Sequence, residues 1–303
     1  RALLDATLAR YPGMLAGRID PLTVLFPGGR GDTVADAYRG NPVSDGFNAA
    51  AAAAVAEAGG AVPGAVIVEV GGGTGGGTRA VLDALAAAPG ALPSRYLFTD
   101  VSRRFLERAA AELGPGRPWF ETALYDAERP AEENGLRPGV ADVVVATNML
   151  HAAADLPAAL RELGRLLKPG GRLVVNELIA NQDFGTLVFG LTDGWWRGAG
   201  APERLPHGPL VGVDGWRALL AAAGYSDIRV IDLAGRRADG QAVIVATAPA
   251  EARTAWRPAS RLPAEAVSET PAGAADAGLR GRLVAALRSI VAGQLGLDPA
   301  DLR

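Results

Sequence analysis

The apolar pattern of the chain changes character near residue 60. Residues 1–60 show no strand alternation. Leu3, Leu4 and Leu8 recur at helical spacing, the Ala run at 49–55 continues a helix, and turns are predicted at Tyr11-Pro12-Gly13 and Phe26-Pro27-Gly28-Gly29. Beyond it, short β-branched runs alternate with Ala/Leu-rich helical stretches. Strands are predicted over 65–70, Tyr96–Asp100, Val143–Thr147 and Arg172–Glu177, with a further strand ahead of Asp126. Helices are predicted over 79–88, 102–113 and 156–167. Such alternation predicts an α/β fold, a mostly parallel sheet covered on both faces. Residues 185–224 are richer in Gly and Trp, less periodic, and end in a helix over 214–223. Two strands follow, Asp227–Leu233 and Gln241–Thr247, joined by the short turn Ala234–Gly240. A pair connected so briefly must be antiparallel, because a parallel pair needs a crossover of about a dozen residues or more.

The pattern divides the chain into an N-terminal helical lid or substrate region (1–60), a core (61–250), a Pro/Ala/Ser/Glu/Thr linker (251–275) and a last segment (276–303). In that segment Leu279, Leu283, Leu287, Ile290 and Val291 mark an amphipathic helix running into Gly296-Leu297-Asp298-Pro299. The chain opens in what reads as mid-helix and stops without a finished domain, so a piece of a longer polypeptide is expected.

Composition narrows the function classes. With 303 residues, 49% hydrophobic and 21% charged, the chain can bury a full core. A formal charge of −3 gives no electrostatic reason to expect nucleic acid or an anionic membrane as partner. No stretch has the length of a membrane span and no signal peptide opens the chain, so a cytoplasmic enzyme is the expectation. Zero cysteines exclude disulfides, thiolate metal sites and a cysteine nucleophile, and two histidines, His151 and His207, exclude a His-rich metal site; no metal is expected.

The most telling stretch is 66–78, where Val-Ile-Val-Glu-Val passes into six glycines within the seven positions Gly71 to Gly77, and then into a helical pattern. Strand, glycine turn and helix bring backbone N–H groups and a helix N-terminus against a nucleotide-like ligand. Gly71, Gly73 and Gly76 satisfy G-x-G-x-x-G, so a dinucleotide is one reading; a ligand-free glycine loop is the bland alternative. Glu69 favours a different cofactor. An acid at this strand end can attract a cationic ligand, and it is common in S-adenosylmethionine (SAM) enzymes where dinucleotide folds carry an apolar residue.

Other acids take rim positions. Asp100 ends the second strand, 27 residues past Gly73, where a carboxylate can accept both ribose hydroxyls; as a helix cap it would compete with Ser102. Asp126 follows the third strand and could accept from an adenine amino group, or could be a solvated loop acid. His151 lies just past the fourth strand and Glu177 ends the next. A histidine with a carboxylate beside it is a general base with its orienter. His207, in a loop, reads as structural or substrate-lining.

Taken together, Glu-Val-Gly-Gly-Gly-Thr-Gly-Gly-Gly-Thr, Tyr-Leu-Phe-Thr-Asp-Val-Ser, Asn-Met-Leu-His-Ala, Leu-Leu-Lys-Pro-Gly-Gly-Arg-Leu-Val-Val-Asn-Glu and Gly-Leu-Thr-Asp-Gly-Trp-Trp resemble, in order, the methyltransferase domains of modular polyketide synthases. The upstream Leu-Phe-Pro-Gly-Gly…Ala-Tyr-Arg-Gly-Asn-Pro-Val-Ser-Asp-Gly-Phe-Asn resembles members from trans-acyltransferase assembly lines. One departure is Gly46, where an aromatic or bulky residue is expected before Phe47. Residues 279–299 resemble the start of an acyl carrier domain.

The resemblance implies a Rossmann-like class I SAM methyltransferase, with a seven-stranded sheet ending in an antiparallel hairpin. It implies Glu69, Gly71, Gly73 and Gly75 around SAM, Asp100 on the ribose, Asp126 on the adenine and Asn148 near the sulfonium. His151 and Glu177 would be the catalytic dyad, with S-adenosylhomocysteine as product. The implied partners are an acyl carrier domain bearing a phosphopantetheine-tethered polyketide, and neighbouring synthase domains. The expected reaction is methylation of the α-carbon of a β-ketoacyl thioester. O-methylation of a β-hydroxyl is the alternative. An NADPH-dependent ketoreductase would need a Tyr-x-x-x-Lys pair, which is missing, since Lys168 is the only lysine. A non-catalytic scaffold domain is the remaining reading.

Overall fold

A computed structural model describes residues 2–250 apart from 30, 89–91, 199, 232 and 234–239. The predicted linker (251–275), the carrier-like segment (276–303) and most of the turn 234–240 lie outside the described residues.

Seven strands form one sheet: β1 (Val66–Val70), β2 (Arg95–Asp100), β3 (Phe120–Leu124), β4 (Ala141–Thr147), β5 (Leu167–Leu178), β6 (Ser226–Ile231) and β7 (Gln241–Thr247). Their order is β3-β2-β1-β4-β5-β7-β6. The pairs from β3 to β5 are parallel, while β7 runs antiparallel to both β5 and β6, as the short connection required. β1 and β4 are near-continuous apolar runs because both sheet faces are covered. On one face Val68, Val70 and Val144 pack with α8 (Leu156–Leu166) and α10 (Val213–Ala222), through Leu160, Leu163, Trp216 and Leu220. On the other, Ile67, Val143 and Val145 pack with α5 (Pro42–Gly60), α6 (Gly76–Ala87) and α7 (Arg103–Leu113), through Phe47, Val55, Leu82 and Leu106.

Capping chemistry sets where several helices begin. Asn41 Oδ1 accepts from Ser44 N–H (2.9 Å) ahead of Pro42, and Asp155 Oδ1 accepts from Ala158 N–H (2.8 Å) ahead of α8. Because α5 packs in the same buried cluster as Ile67 and Leu82, it belongs to the sheet layers, although the sequence pattern groups it with the N-terminal region. The cap over the site is smaller: α1 (Ala2–Leu8), α2 (Tyr11–Leu15), α3 (Pro21–Leu25) and α4 (Asp32–Tyr38) pack against α9 (Asp183–Phe189). Leu3, Leu25 and Val34 bury Val188; Tyr11, Met14 and Val24 meet Leu187 and Leu191. The turn expected at Tyr11-Pro12-Gly13 is instead the first turn of α2. Proline fits there because that turn's N–H groups have no intrahelical partner.

The strand order reverses between β1 and β4. That switch point opens a crevice at the carboxyl ends of the strands, where open α/β sheets bind ligands.

Candidate active site

The loop from β1 to α6 rims this crevice. Gly72 N–H donates to Thr99 O (2.9 Å), which draws the loop onto β2. A Cβ at Gly72 would lie 2.1 Å from the Phe98 ring, so only glycine permits this approach. Gly71, Gly72, Gly73, Gly76 and Gly77 line an open cleft of about 660 Å³, part of it bulk solvent, together with Glu69, Thr147 and Asn148. Gly75 does not line it. This residue takes a left-handed conformation (φ 74°) as the N-cap of α6, so its contribution is to turn the chain into the helix.

Glu69 is 2% exposed. Its carboxylate accepts from Thr78 Oγ1 (3.0 Å) and Tyr96 Oη (2.8 Å), and no basic side chain pairs with it among the described residues. Burial pushes this carboxyl up to about 7 and the nearby Asp100 charge adds to the rise, against the two hydroxyl hydrogen bonds that lower it. Asp100 clasps the loop: Oδ2 accepts from Gly73 N–H (3.0 Å) and Oδ1 from Ser102 N–H (2.8 Å). Burial raises the Asp100 carboxyl, and hydrogen bonds from the backbone of Ser102, Gly73 and Val101 oppose that. The predicted competition with Ser102 resolves simply, since Ser102 is the N-cap of α7 without a side-chain cap bond and Asp100 takes its N–H. Asp126 is not among the cavity-lining residues. Its Oδ1 accepts from Glu128 N–H (3.0 Å) in a local turn.

At the end of β4, Asn148 adopts a left-handed backbone (φ 49°) and donates its N–H to Asn176 O (2.8 Å). Its Oδ1 is buried in the cavity wall without a hydrogen-bond partner. A single 3₁₀ turn, Leu150–Ala152, then presents His151. His151 Nδ1 lies 2.8 Å from Oε2 of the fully buried Glu177. Glu177 Oε1 accepts from the N–H groups of Met149 (2.9 Å) and Leu150 (2.7 Å), with His151 N–H at 3.4 Å. A carboxylate can only accept, so Nδ1 carries the proton and Nε2 is left as the basic nitrogen.

An aromatic wall that no local periodicity in the sequence announces bounds the cavity. Phe26, Val34, Tyr38, Phe105 and Phe189 line the cavity, and Phe26 meets Phe105 edge-on at 6.2 Å. Tyr38 stacks on Phe189 (6.4 Å), Phe189 on Trp195 (5.9 Å), and Trp195 meets the His151 ring edge-on (5.8 Å), so an aromatic row leads from cavity to imidazole. Burial and the Glu177 charge push the Tyr38 phenol up to about 12. The available signal was Tyr38 itself, inside the Ala-Tyr-Arg-Gly-Asn motif. His207 is exposed in a left-handed turn (φ 62°) and lies outside the cavity wall. Lys168 is bound to Asp142 at 2.7 and 2.8 Å near the start of β5, away from the carboxyl-end rim. Among the described residues no cluster suited to a metal ion occurs, and no helix is long and apolar enough to cross a membrane.

Comparisons with known proteins show what the chain is similar to. Residues 68–173 match a family described as a methyltransferase domain. Polyketide synthase ThaG of Burkholderia thailandensis is 37% identical over 331 residues, covering 99% of this chain and 6% of ThaG. The chain therefore spans a small part of that relative. The crystal structure of DszA carbon methyltransferase superposes with a TM-score of 0.77 at 33% identity, over 83% of this chain and 66% of DszA. The trans-methyltransferase CalH, in complex with SAH, superposes with a TM-score of 0.66 at 26% identity, over 80% of this chain and 66% of CalH.

Proposed function

The chain is a methyltransferase domain of polyketide-synthase type, and from that premise we propose that it methylates the α-carbon of a β-ketoacyl thioester carried by an acyl carrier domain. The observation that carries the reading is the His151–Glu177 pair, set in the turn that follows the cavity-lining Asn148.

The donor is SAM, the cofactor of this fold, and the cavity suits it. Glu69 is a buried carboxylate without a cationic partner, and Asn148 Oδ1 is a buried acceptor without a donor. Both match a ligand that brings an ammonium and a sulfonium. The glycine loop lets the backbone approach, and Phe26 and Phe105 provide an apolar wall. Asp100 is proposed to hold the ribose from its place beside Gly73. Asp126 is proposed to reach the adenine through Oδ2, which makes no hydrogen bond among the described residues. When bound, SAM supplies a methyl group made electrophilic by the sulfonium, ready for an enolate carbon. His151 Nε2 takes the α-proton, and Glu177 holds the imidazole in the required tautomer and stabilises the imidazolium that forms. Asn148 and the aromatic row orient the acceptor so that proton removal and transfer occur in one geometry.

Similarity to a protein named a carbon methyltransferase favours carbon over oxygen as acceptor. The test is intact-mass measurement of β-ketoacyl and β-hydroxyacyl carrier proteins after incubation with SAM. Gain of one methylene on the keto substrate alone supports the reading; gain only on the hydroxy substrate replaces it with O-methylation. Calorimetric titration with SAM and NADPH separates both from a reductase.

A further inference from the structure

We propose that Arg204 is a positioning residue for His151, clamping the catalytic turn from the side opposite Glu177; this rests on the base role assigned above. Arg204 lies 53 residues beyond His151 in sequence, yet its side chain is 1% exposed and its donors point at the turn. Nη1 donates to the carbonyls of His151 (3.1 Å) and Pro209 (2.6 Å), and Nη2 to the carbonyl of Ala153 (2.7 Å). The nearest carboxylate, Glu203, stands 3.9 Å from Nε, and Nε makes no hydrogen bond. Gly198 is shaped to this contact: a Cβ there would fall 2.7 Å from Nη2 and 3.0 Å from Ala153 O.

Burying a guanidinium with main-chain carbonyls as its main partners is unfavourable unless the geometry satisfies its donors well. Here that geometry does one thing. The three-residue turn Leu150–Ala152 has too few hydrogen bonds of its own to fix the direction of a side chain. Glu177 gathers its N–H groups at one end, and Arg204 gathers its carbonyls at the other. An anion at the N–H end and a cation at the carbonyl end both match the dipole of the turn. Burial pulls the guanidinium below its ordinary value, and the charges of Glu203, Glu177 and Glu128 oppose that. His151 therefore inherits its orientation from two residues, one at the end of β5 and one in the loop ahead of α10. Among the described residues, the part of that loop from Gly200 to Leu210 is tied to the active site through this side chain.

The experiment compares Arg204→Met and Arg204→Lys in the same chain, with SAM affinity by calorimetry, single-turnover methyl transfer and ¹⁵N-histidine NMR. Two histidines make the spectrum assignable, and His207→Gln identifies the remaining signal as that of His151. Arg204→Met is expected to slow transfer about 100-fold, the cost of a small misplacement of a reacting group, and to shift the His151 resonances while SAM affinity stays within about twofold. Arg204→Lys keeps the charge without the planar fork and should recover part of the rate. Unchanged His151 resonances in Arg204→Met overturn the proposal, and so does loss of SAM binding in step with activity. Should the Met variant fail to fold, Arg204→Lys decides alone: wild-type transfer together with an unshifted His151 signal overturns it. A shifted signal in a chain where His151→Ala still turns over would instead overturn the base role and leave the clamp standing.

Discussion

The Glu177 carboxylate holds His151 twice: Oε2 meets the imidazole Nδ1 at 2.8 Å, while Oε1 accepts from the backbone N–H groups of Met149 and Leu150 that begin the His151 turn. Ring tautomer and ring position thus share one anchor. His151→Ala removes the proposed base and leaves the glycine loop untouched. Transfer should fall about 10²–10⁴-fold, the usual worth of a positioned general base, with SAM affinity near wild type. Glu177→Gln should cost more than the tautomer, because one amide cannot accept at both former oxygens. It should lower the melting temperature as well as the rate. Equal loss of SAM affinity and transfer in His151→Ala would remove the base assignment.

In the proposed role of Glu69 beside the cofactor, SAM binding is expected to depend on pH. Its folded value of about 7 lies above the ordinary 4.5, so between those values the folded state binds a proton that the unfolded state has released. Stability then falls as pH rises through that window and levels off above it. Binding of a cation works in the opposite sense, since it favours the charged carboxylate. SAM affinity should rise with pH up to about 7, at most tenfold per pH unit, and then flatten. Uncharged Glu69→Gln should remove the dependence and bind SAM weakly at every pH. Calorimetry in buffers of differing ionisation enthalpy would register the released proton. A flat wild-type profile would show that Glu69 does not change protonation with the ligand.

The contact between Gly72 and Phe98 predicts a suppressor. Gly72→Ala places a methyl 2.1 Å from the ring, so either the loop or the ring must move. Overpacking of this kind costs about 1–3 kcal/mol and should also weaken SAM binding, because the displaced backbone lines the cavity. Phe98→Leu in the Gly72→Ala background should recover part of both losses, measured by urea unfolding and SAM titration. Simple addition of the two penalties would show that the ring is not what the methyl strikes.

Much of this was readable beforehand because the relevant signals are local. β-Branched runs fix the strands, the short connection fixes the antiparallel pair, and Glu69, His151 and Glu177 are rim residues because strand ends define the rim. What the sequence hid is non-local. Tyr38 ends one short helix and Phe26 follows another, their facing depends on packing with α9, and no periodicity announces it. Pro12 marks a turn and a helix start equally well, so the sequence alone does not separate α2 from a turn. Asp126 has the reach for an adenine, but its local spacing also allows the bond to Glu128 N–H. Arg204 looks like a loop cation until the fold encloses it.

A buried chain of amides supplies the last prediction. Gln241 Nε2 donates to Asn176 Oδ1 (2.7 Å), Asn176 Nδ2 to Asn48 Oδ1 (3.2 Å), and Asn48 Nδ2 to the carbonyl of Tyr38 (2.8 Å). This chain links β7, β5 and α5 to the residue that closes α4 over the cavity. Asn176 and Asn48 each donate to one neighbour and accept from the other, so cutting the middle strands groups on both sides. Asn48→Leu leaves the Asn176 donor and the Tyr38 carbonyl without their partner, a loss of about 1–3 kcal/mol in unfolding free energy. It also frees Tyr38, whose ring lines the cavity and starts the aromatic row toward His151. The expected kinetic signature is a raised KM for the acyl carrier substrate, with a smaller change in SAM affinity. Asn48→Asp keeps the acceptor for Asn176 but loses the donor to Tyr38, and should reproduce the KM effect. Should Asn48→Asp keep a wild-type KM, the Tyr38 carbonyl contact would be excluded as the determinant.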